Sequence, residues 1–229
     1  MFFASPFSKW RIIMNRNRKL TLLAMFAALS YIVMIVGRIP ISTVDFLKYD
    51  PKDMVIVICG FTSGPLAALA VTVLVSVLEM LTVSTTGPIG LLMNILSTVS
   101  FACTASYIYK RNHTLSGAVC GLVSGVVLMT LVMLAWNYLI TPLYMGMPRE
   151  ALAEMLIPVF LPFNLLKGLI NAAITLMVYK PISRAVRRFA PAGEAQNHPK
   201  GRFNASVTIL SVVLLVTCIL VILAMKGLI

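Results

Sequence analysis

The sequence predicts an all-α integral membrane protein, because of its composition, its length and the spacing of its apolar stretches. Hydrophobic residues make up 59% of the 229 residues, and charged residues only 11%. A water-soluble domain with this balance would expose large apolar patches. A membrane-spanning helix needs about 20 mostly apolar residues, so the chain has room for six or seven helices and little else.

Seven apolar stretches, broken by Gly, Pro and charged residues, predict the helices in order. They lie near residues 20–37, 53–62, 65–83, 89–109, 115–140, 158–180 and 206–225. The first stretch follows basic residues but lacks a small-x-small cleavage site, so we interpret it as a retained helix rather than a signal peptide. The second is too short to cross the bilayer alone, so we expect it to be buried among its neighbours or to lean on the outer leaflet.

The start of the short second helix has its own signals. Asp50 is the expected N-cap residue, Pro51 suits the first helical position, and Asp53 stands where a capping box has its acid. The run from Gly60 to Pro65 then predicts a turn into the third helix.

The formal net charge of +12 indicates an orientation in the bilayer rather than a nucleic-acid partner. With the N-terminus in the cytoplasm, thirteen of the 19 Lys and Arg residues fall in cytoplasmic segments, five in outer segments, and Lys167 in a span. This distribution agrees with the positive-inside rule. It predicts a basic cytoplasmic segment (1–19), a six-helix substrate-binding membrane domain (20–185), a basic cytoplasmic linker (186–205) and an additional C-terminal transmembrane helix (206–229).

Ionisable and amide side chains inside the predicted spans indicate a binding site in the extracellular half of the bundle. Charges in a span are costly, so they usually face a cavity or each other; we therefore expect Glu79 to pair with Lys167, directly or through a ligand. Further polar residues at the same depth are Asn94, Asn137, Tyr138, Asn164 and Asn171. Such a set suits a planar heteroaromatic ligand, although the amides could instead join helices to one another.

Ala24 and Ala28 form a small-xxx-small pair on the first helix. Small residues on one face let another helix approach closely. The pair could serve a partner subunit or packing within this protein. The four cysteines lie in apolar segments without the spacing of a metal or disulfide site, so neither is predicted.

Four stretches together resemble the S components, or substrate-binding subunits, of energy-coupling factor (ECF) transporters, specifically the riboflavin-binding ones. They are Phe46-Leu47-Lys48-Tyr49-Asp50 with Asp53, Gly87-Pro88-Ile89-Gly90-Leu91-Leu92-Met93-Asn94, Asn137-Tyr138-Leu139-Ile140-Thr141-Pro142-Leu143-Tyr144, and Asn164-Leu165-Leu166-Lys167. The resemblance covers residues 19 to about 185. The seventh apolar segment departs from the family pattern of six helices.

The resemblance implies a vitamin importer subunit of a bacterial cell membrane. It would capture riboflavin from outside and associate with a transmembrane coupling subunit and two ATP-binding-cassette ATPases. Glu79, Asn137, Asn164 and Lys167 would bind the flavin, the loop at 38–50 with Leu47 and Lys48 would cover it, and Ala24 and Ala28 would dock on the coupling subunit. Because the chain has no Walker A sequence, ATP hydrolysis must come from another chain.

Two alternatives stay open at this point. One is an S component for another small vitamin or base. The other is an intramembrane enzyme with Glu79 as general base; this is disfavoured because His113 and His198 are expected on the opposite side of the membrane. We expect no catalytic activity and no cofactor.

Overall fold

A computed structural model describes residues 6–40, 47–84, 86–146, 148–189 and 205–225. The long helices are α1 (Pro6–Gly37), α3 (Pro65–Thr82), α6 (Leu115–Leu139), α9 (Leu161–Phe189) and α10 (Ala205–Met225). The shorter helices are α2 (Lys52–Ser63), α4 (Gly87–Thr98), α5 (Thr104–Arg111), α7 (Thr141–Met145) and α8 (Arg149–Met155). A two-stranded antiparallel ribbon, β1 (Ile39–Pro40) and β2 (Lys48–Tyr49), follows α1, with Ile39 opposite Tyr49 and Pro40 opposite Lys48.

Among the described residues, five helical segments are long and apolar enough to cross a membrane. They are Asn17–Gly37, Pro65–Thr82, Gly87–Arg111, Leu115–Leu139 and Arg149–Val178. The chain is therefore a multi-pass membrane protein. A shorter apolar segment, Ser211–Leu223, lies within α10, which packs against α9 and buries Ser211 and Cys218.

Helix α2 is buried inside the bundle, which is one of the two placements that its short length left open. Nine of its 12 residues are buried, and it contacts α1, α3, α5 and α9. The chain turns from α2 into α3 at Gly64, whose φ of 92° is a conformation that side chains disfavour. Pro65 then begins α3, where a missing backbone N–H is not needed.

The predicted cap of α2 is wrong. The helix begins at Lys52, Pro51 is its N-cap residue, and no side chain caps it. The Asp50 carboxylate pairs with Arg38 instead, and Asp53 pairs with groups on α4 and α9. Ion pairs with buried cations outweigh the modest gain of a helix cap.

Other helix boundaries differ from the prediction at both ends of the sixth span. That span starts at Arg149, well before residue 158, because the chain runs helically through Pro158 in a π-helical turn, Leu156–Phe160. A π turn accommodates proline because it loosens the backbone hydrogen-bond ladder. At the other end α9 reaches Phe189, so the first residues of the predicted linker are helical; residues 190–204 lie outside the described part. Helix α1 likewise starts at Pro6, within the predicted N-terminal segment.

A second π-helical turn, Val99–Cys103, joins α4 to α5 and packs against α6. Gly121 and Gly125 make this contact possible. A Cβ atom at either position would lie 2.7 Å from a backbone carbonyl oxygen, of Ala105 and Phe101 respectively. This close packing places α4 and α6 along two sides of the cavity described next.

Candidate functional site

Six charged side chains meet inside the bundle near the β-ribbon, and we call them the charge cluster. They come from the end of α1, the segment that leads into α2, and helices α2, α3 and α9. They are Arg38, Asp50, Lys52, Asp53, Glu79 and Lys167. Five of them are at most 5% exposed as whole residues, and the Arg38 side chain is 19% exposed.

One half of the charge cluster is centred on Glu79 of α3. Its carboxylate accepts hydrogen bonds from Arg38 through Oε1 and from Lys52 through Oε2. Asp50 joins the same two cations, with Oδ1 2.9 Å from Arg38 Nε and Oδ2 3.8 Å from Lys52 Nζ. Because Arg38 and Asp50 lie at the two ends of the loop, these ion pairs fasten its base to α3.

The other half of the charge cluster joins α2, α4 and α9. Asp53 Oδ2 lies 3.4 Å from Lys167 Nζ, and Asp53 Oδ1 accepts a hydrogen bond of 2.7 Å from Thr98. Lys167 also donates to Ser97 Oγ over 3.4 Å. The expected direct pair between Glu79 and Lys167 is therefore wrong. Each has other partners, and among the described residues no ion pair within 4.0 Å joins the two halves of the cluster.

The charge cluster is balanced. Arg38, Lys52 and Lys167 contribute three positive charges, and Asp50, Asp53 and Glu79 contribute three negative charges, so its formal charge is zero. Removing one partner of a buried ion pair typically costs about 3–5 kcal/mol because it leaves the other charge uncompensated. We therefore expect the loss of a single charge from the cluster to destabilise the bundle.

The loop residues next to α2 have perturbed acidities. Burial raises the pKa of the Asp50 carboxyl above its ordinary value, and Lys52 opposes this shift. Burial also raises the pKa of Tyr49, so its hydroxyl stays protonated and donates a 3.0 Å hydrogen bond to Asn171 Oδ1. This bond ties the ribbon to α9.

A partly open cavity of about 610 Å³, including the space at its mouth, lies beside the charge cluster. Polar and apolar side chains from the ribbon, α3, α4, α6 and α9 and the segments between them line it together. They are Arg38, Leu47, Lys48, Asp50, Val83, Ser84, Thr86, Met93, Asn94, Ser97, Met133, Phe163, Asn164 and Lys167. The cavity thus offers amide, hydroxyl and ammonium groups beside apolar walls.

Five of the nine predicted substrate-binding residues line this cavity. They are Leu47, Lys48, Asn94, Asn164 and Lys167. Asn164 is buried and donates 2.8 Å to its own helix, at Phe160 O, so its amide oxygen is left for other partners. The spacing of Asn164, Lys167 and Asn171 does place them on one buried face of α9.

The other four predicted residues lie outside the cavity wall. Glu79 lies within the charge cluster, and Asn171 holds Tyr49 and donates to Asp50 O over 3.4 Å. Asn137 is fully buried; its Oδ1 accepts from Thr141, while its Nδ2 has no hydrogen-bond partner among the described residues. Tyr138 is 43% exposed.

Five residues of the site were not predicted as binding residues: Arg38, Asp50, Lys52, Asp53 and Ser97. The first four were counted as loop charges or helix caps. One signal could have found Lys52 and Asp53: an acid and a base on a helix too short to span must be buried with it, and buried charges need partners.

The predicted docking pair, Ala24 and Ala28, is exposed on α1, while Phe26 and Ala27 beside it are buried. The two alanines are therefore not used for packing inside this protein. Of the two explanations for the pair, the structure disfavours internal packing.

Comparison with known proteins decides the family. The family model for the ECF transporter, substrate-specific component, matches residues 18–179. The chain belongs to this family. It is a membrane transport subunit and not an enzyme, so the alternative with Glu79 as a general base is set aside.

Named relatives and a solved structure agree with this assignment. The chain is 33% identical over 188 residues to riboflavin transporter RibU of Streptococcus thermophilus, covering 76% of this chain and 87% of the relative. It is 26% identical to RibU of Staphylococcus aureus, covering 78% and 97%. The solved structure of the S component of a bacterial ECF transporter superposes with a TM-score of 0.65 at 26% identity, covering 75% of this chain and 98% of that one.

Proposed function

We propose that this S component captures riboflavin in the cavity beside the charge cluster. The observation that carries the proposal is the mixed lining of the cavity. Lys167, Asn164 and Asn94 bring donors and acceptors to a space whose other walls include Phe163, Met133 and Met93. An isoalloxazine ring has apolar faces and an edge of carbonyl and ring-nitrogen groups, which matches such a lining. The curated relatives are themselves named riboflavin transporters.

Substrate-binding roles are part of this proposal. Asn94, Asn164, Lys167, Leu47 and Lys48 contact the ligand from the cavity wall. Glu79, Asn137, Tyr138 and Asn171 were predicted as contacts too. Their positions support an indirect role for Glu79 and Asn171, which hold the ribbon and α2, and a direct role for the unpartnered Asn137 amide once a ligand is bound.

The orientation in the membrane is also proposed. The N-terminus lies in the cytoplasm, which follows from the distribution of Lys and Arg, and the cavity then opens toward the cell exterior. The membrane domain (20–185) carries the site, the linker (186–205) lies in the cytoplasm, and α10 is an additional span against α9. Reporter fusions at each terminus test this orientation: a periplasm-dependent or exterior-dependent reporter is inactive at the N-terminus and active at the C-terminus.

Delivery of the ligand requires partners. The exposed Ala24 and Ala28 face of α1 docks on the transmembrane coupling subunit, which works with two ATPases. Small residues suit this role because they let a second helix approach closely within the bilayer.

The decisive experiment measures ligand binding by purified protein. We expect one riboflavin per chain, with quenching of flavin fluorescence. A thermal-shift panel of riboflavin, thiamine, biotin and purine-like bases checks the specificity, because a ligand that binds only the folded state raises Tm. Stabilisation by another compound and none by riboflavin would replace the ligand in this proposal; no response to riboflavin in either assay would reject it.

A further inference from the structure

Asp53 forms an ion pair with Lys167, a lysine of the cavity wall. We propose that Asp53 is a positioning residue that holds the Lys167 ammonium at the cavity wall, and that Thr98 fixes Asp53 in turn. The inference rests on the proposed function. Asp53 is fully buried; one carboxylate oxygen accepts from Thr98 at 2.7 Å and the other lies 3.4 Å from Lys167 Nζ.

The other two acids of the charge cluster pair with other cations, so Asp53 is the acid that holds Lys167. Glu79 and Asp50 are both engaged with Arg38 and Lys52. Asp53 is the acid within 4.0 Å of Lys167 among the described residues. A lysine side chain is a point charge on a flexible stem, so a fixed acid on the neighbouring helix determines where its ammonium lies.

The hydrogen-bond capacity of Lys167 leaves room for a ligand. An ammonium has three N–H donors; one is hydrogen-bonded to Ser97, while Asp53 Oδ2 forms an ion pair with the ammonium at 3.4 Å without a hydrogen bond. At least one donor is therefore left for an acceptor on the ligand, such as a carbonyl oxygen. Asp53 and Ser97 thus orient the ammonium without saturating it, and neither Asp53 nor Thr98 lines the cavity.

The test is a double-mutant cycle on the riboflavin Kd. We expect Asp53→Asn to weaken binding about ten- to a hundredfold, because the ammonium loses its fixed, charged acceptor. In a Lys167→Ala background the same substitution changes Kd by less than about twofold, because there is no ammonium left to position. An equal loss in both backgrounds would show that Asp53 acts on the fold alone and would overturn the proposal.

A pH profile supplies a readout that a purely structural role would not move. The charges that act on Lys167 are Asp53, Asp50 and Glu79, with Lys52 and Arg38 beyond them in the charge cluster. Without the nearest acid a buried ammonium is less favoured over the neutral amine. We therefore expect binding by Asp53→Asn to weaken further as the pH rises, and wild-type binding to fall less over the same range. Wild-type-like binding by Asp53→Asn at every pH would refute the role.

A milder variant covers the case in which Asp53→Asn does not fold. Thr98→Val removes only the 2.7 Å hydrogen bond to Asp53, and we expect a threefold to tenfold loss of affinity, roughly, that disappears in the Lys167→Ala background. Thr72→Val is the matched control, since Thr72 is also fully buried and, within the part of the chain that the structure describes, its hydroxyl donates only to Ala68 O of its own helix. Equal effects of the two valine variants would overturn the proposal.

The same variants separate this proposal from the proposed function. If wild-type protein does not bind riboflavin, the ligand assignment fails. The Asp53 proposal is then judged on the Tm of ligand-free protein. Coupling between Asp53→Asn and Lys167→Ala, or between Thr98→Val and Lys167→Ala, supports it, and additive effects reject it.

Discussion

Glu79→Gln is the sharpest test of the charge cluster. Both carboxylate oxygens of Glu79 accept from cations, Arg38 on one side and Lys52 on the other. An amide keeps one acceptor oxygen and places an NH₂ donor against the second cation. The substitution therefore removes both ion pairs of Glu79, leaves one cation facing an NH₂ donor, and changes the formal charge of the cluster from zero to +1.

The size of the effect follows from these contacts. Breaking a buried ion pair costs about 3–5 kcal/mol. Asp50 remains 2.9 Å from Arg38 and 3.8 Å from Lys52, so it partly compensates for the lost negative charge. We therefore expect the free energy of unfolding to fall by the lower end of this range, about 3 kcal/mol. At about 2–4 °C per kcal/mol for a chain of this size, Tm falls by about 6–12 °C.

The assay is thermal unfolding of the purified protein in detergent, followed by tryptophan fluorescence. Glu154→Gln is the matched control because Glu154 is exposed, and its Tm should stay close to that of wild type. The double variant Glu79→Gln/Lys52→Met restores neutrality with two positive and two negative charges, so it should be more stable than Glu79→Gln alone. A Glu79→Gln shift no larger than that of the control, or additive losses in the double variant, would refute the balanced cluster.

Further predictions concern the ligand, the partner and the last helix. Lys167→Ala should weaken riboflavin binding by about 1.5–3 kcal/mol, as for a hydrogen bond to a charged group, in a fluorescence titration with Lys110→Ala as control; an unchanged Kd would contradict the cavity assignment. Ala24→Leu should leave binding intact but abolish cellular riboflavin uptake, whereas Ala135→Leu, on an exposed part of α6, should permit it. Normal uptake with Ala24→Leu would reject the docking face. Deletion of 205–229 should lower Tm but preserve binding, since α10 packs on α9 and does not line the cavity; an unchanged Tm would mean that α10 contributes nothing to the bundle.

The prediction from sequence succeeded where the signal is local. The membrane class, the short buried second helix and the buried polar face of α9 all follow from residues within a single segment. The resemblance supplied motifs that contain Leu47, Lys48, Asn94, Asn164 and Lys167, and these residues do line the cavity. A polar residue inside an apolar run signals a site without knowledge of its partner, because burial in lipid is costly for that residue alone.

The prediction failed where the outcome depends on partners distant in sequence. Asp53 fits a helix cap by its position, yet α4 and α9 bring Thr98 and Lys167 to it, and these contacts are stronger than a cap. Glu79 was expected to pair with Lys167, directly or through a ligand, because both are ionic and lie in spans. Nothing in the sequence shows that Lys52 is the cation that pairs with Glu79.

By itself, the sequence determined that the chain spans a bilayer, roughly where its apolar helices lie, and which side chains are too polar to face lipid. These are properties of single segments, governed by the transfer of each residue from water to the membrane. Only the tertiary structure decided which charges neutralise each other and which side chains meet at a cavity. Those choices depend on distances of a few ångströms between residues that the chain separates widely, and in a low-dielectric interior such distances dominate the energy.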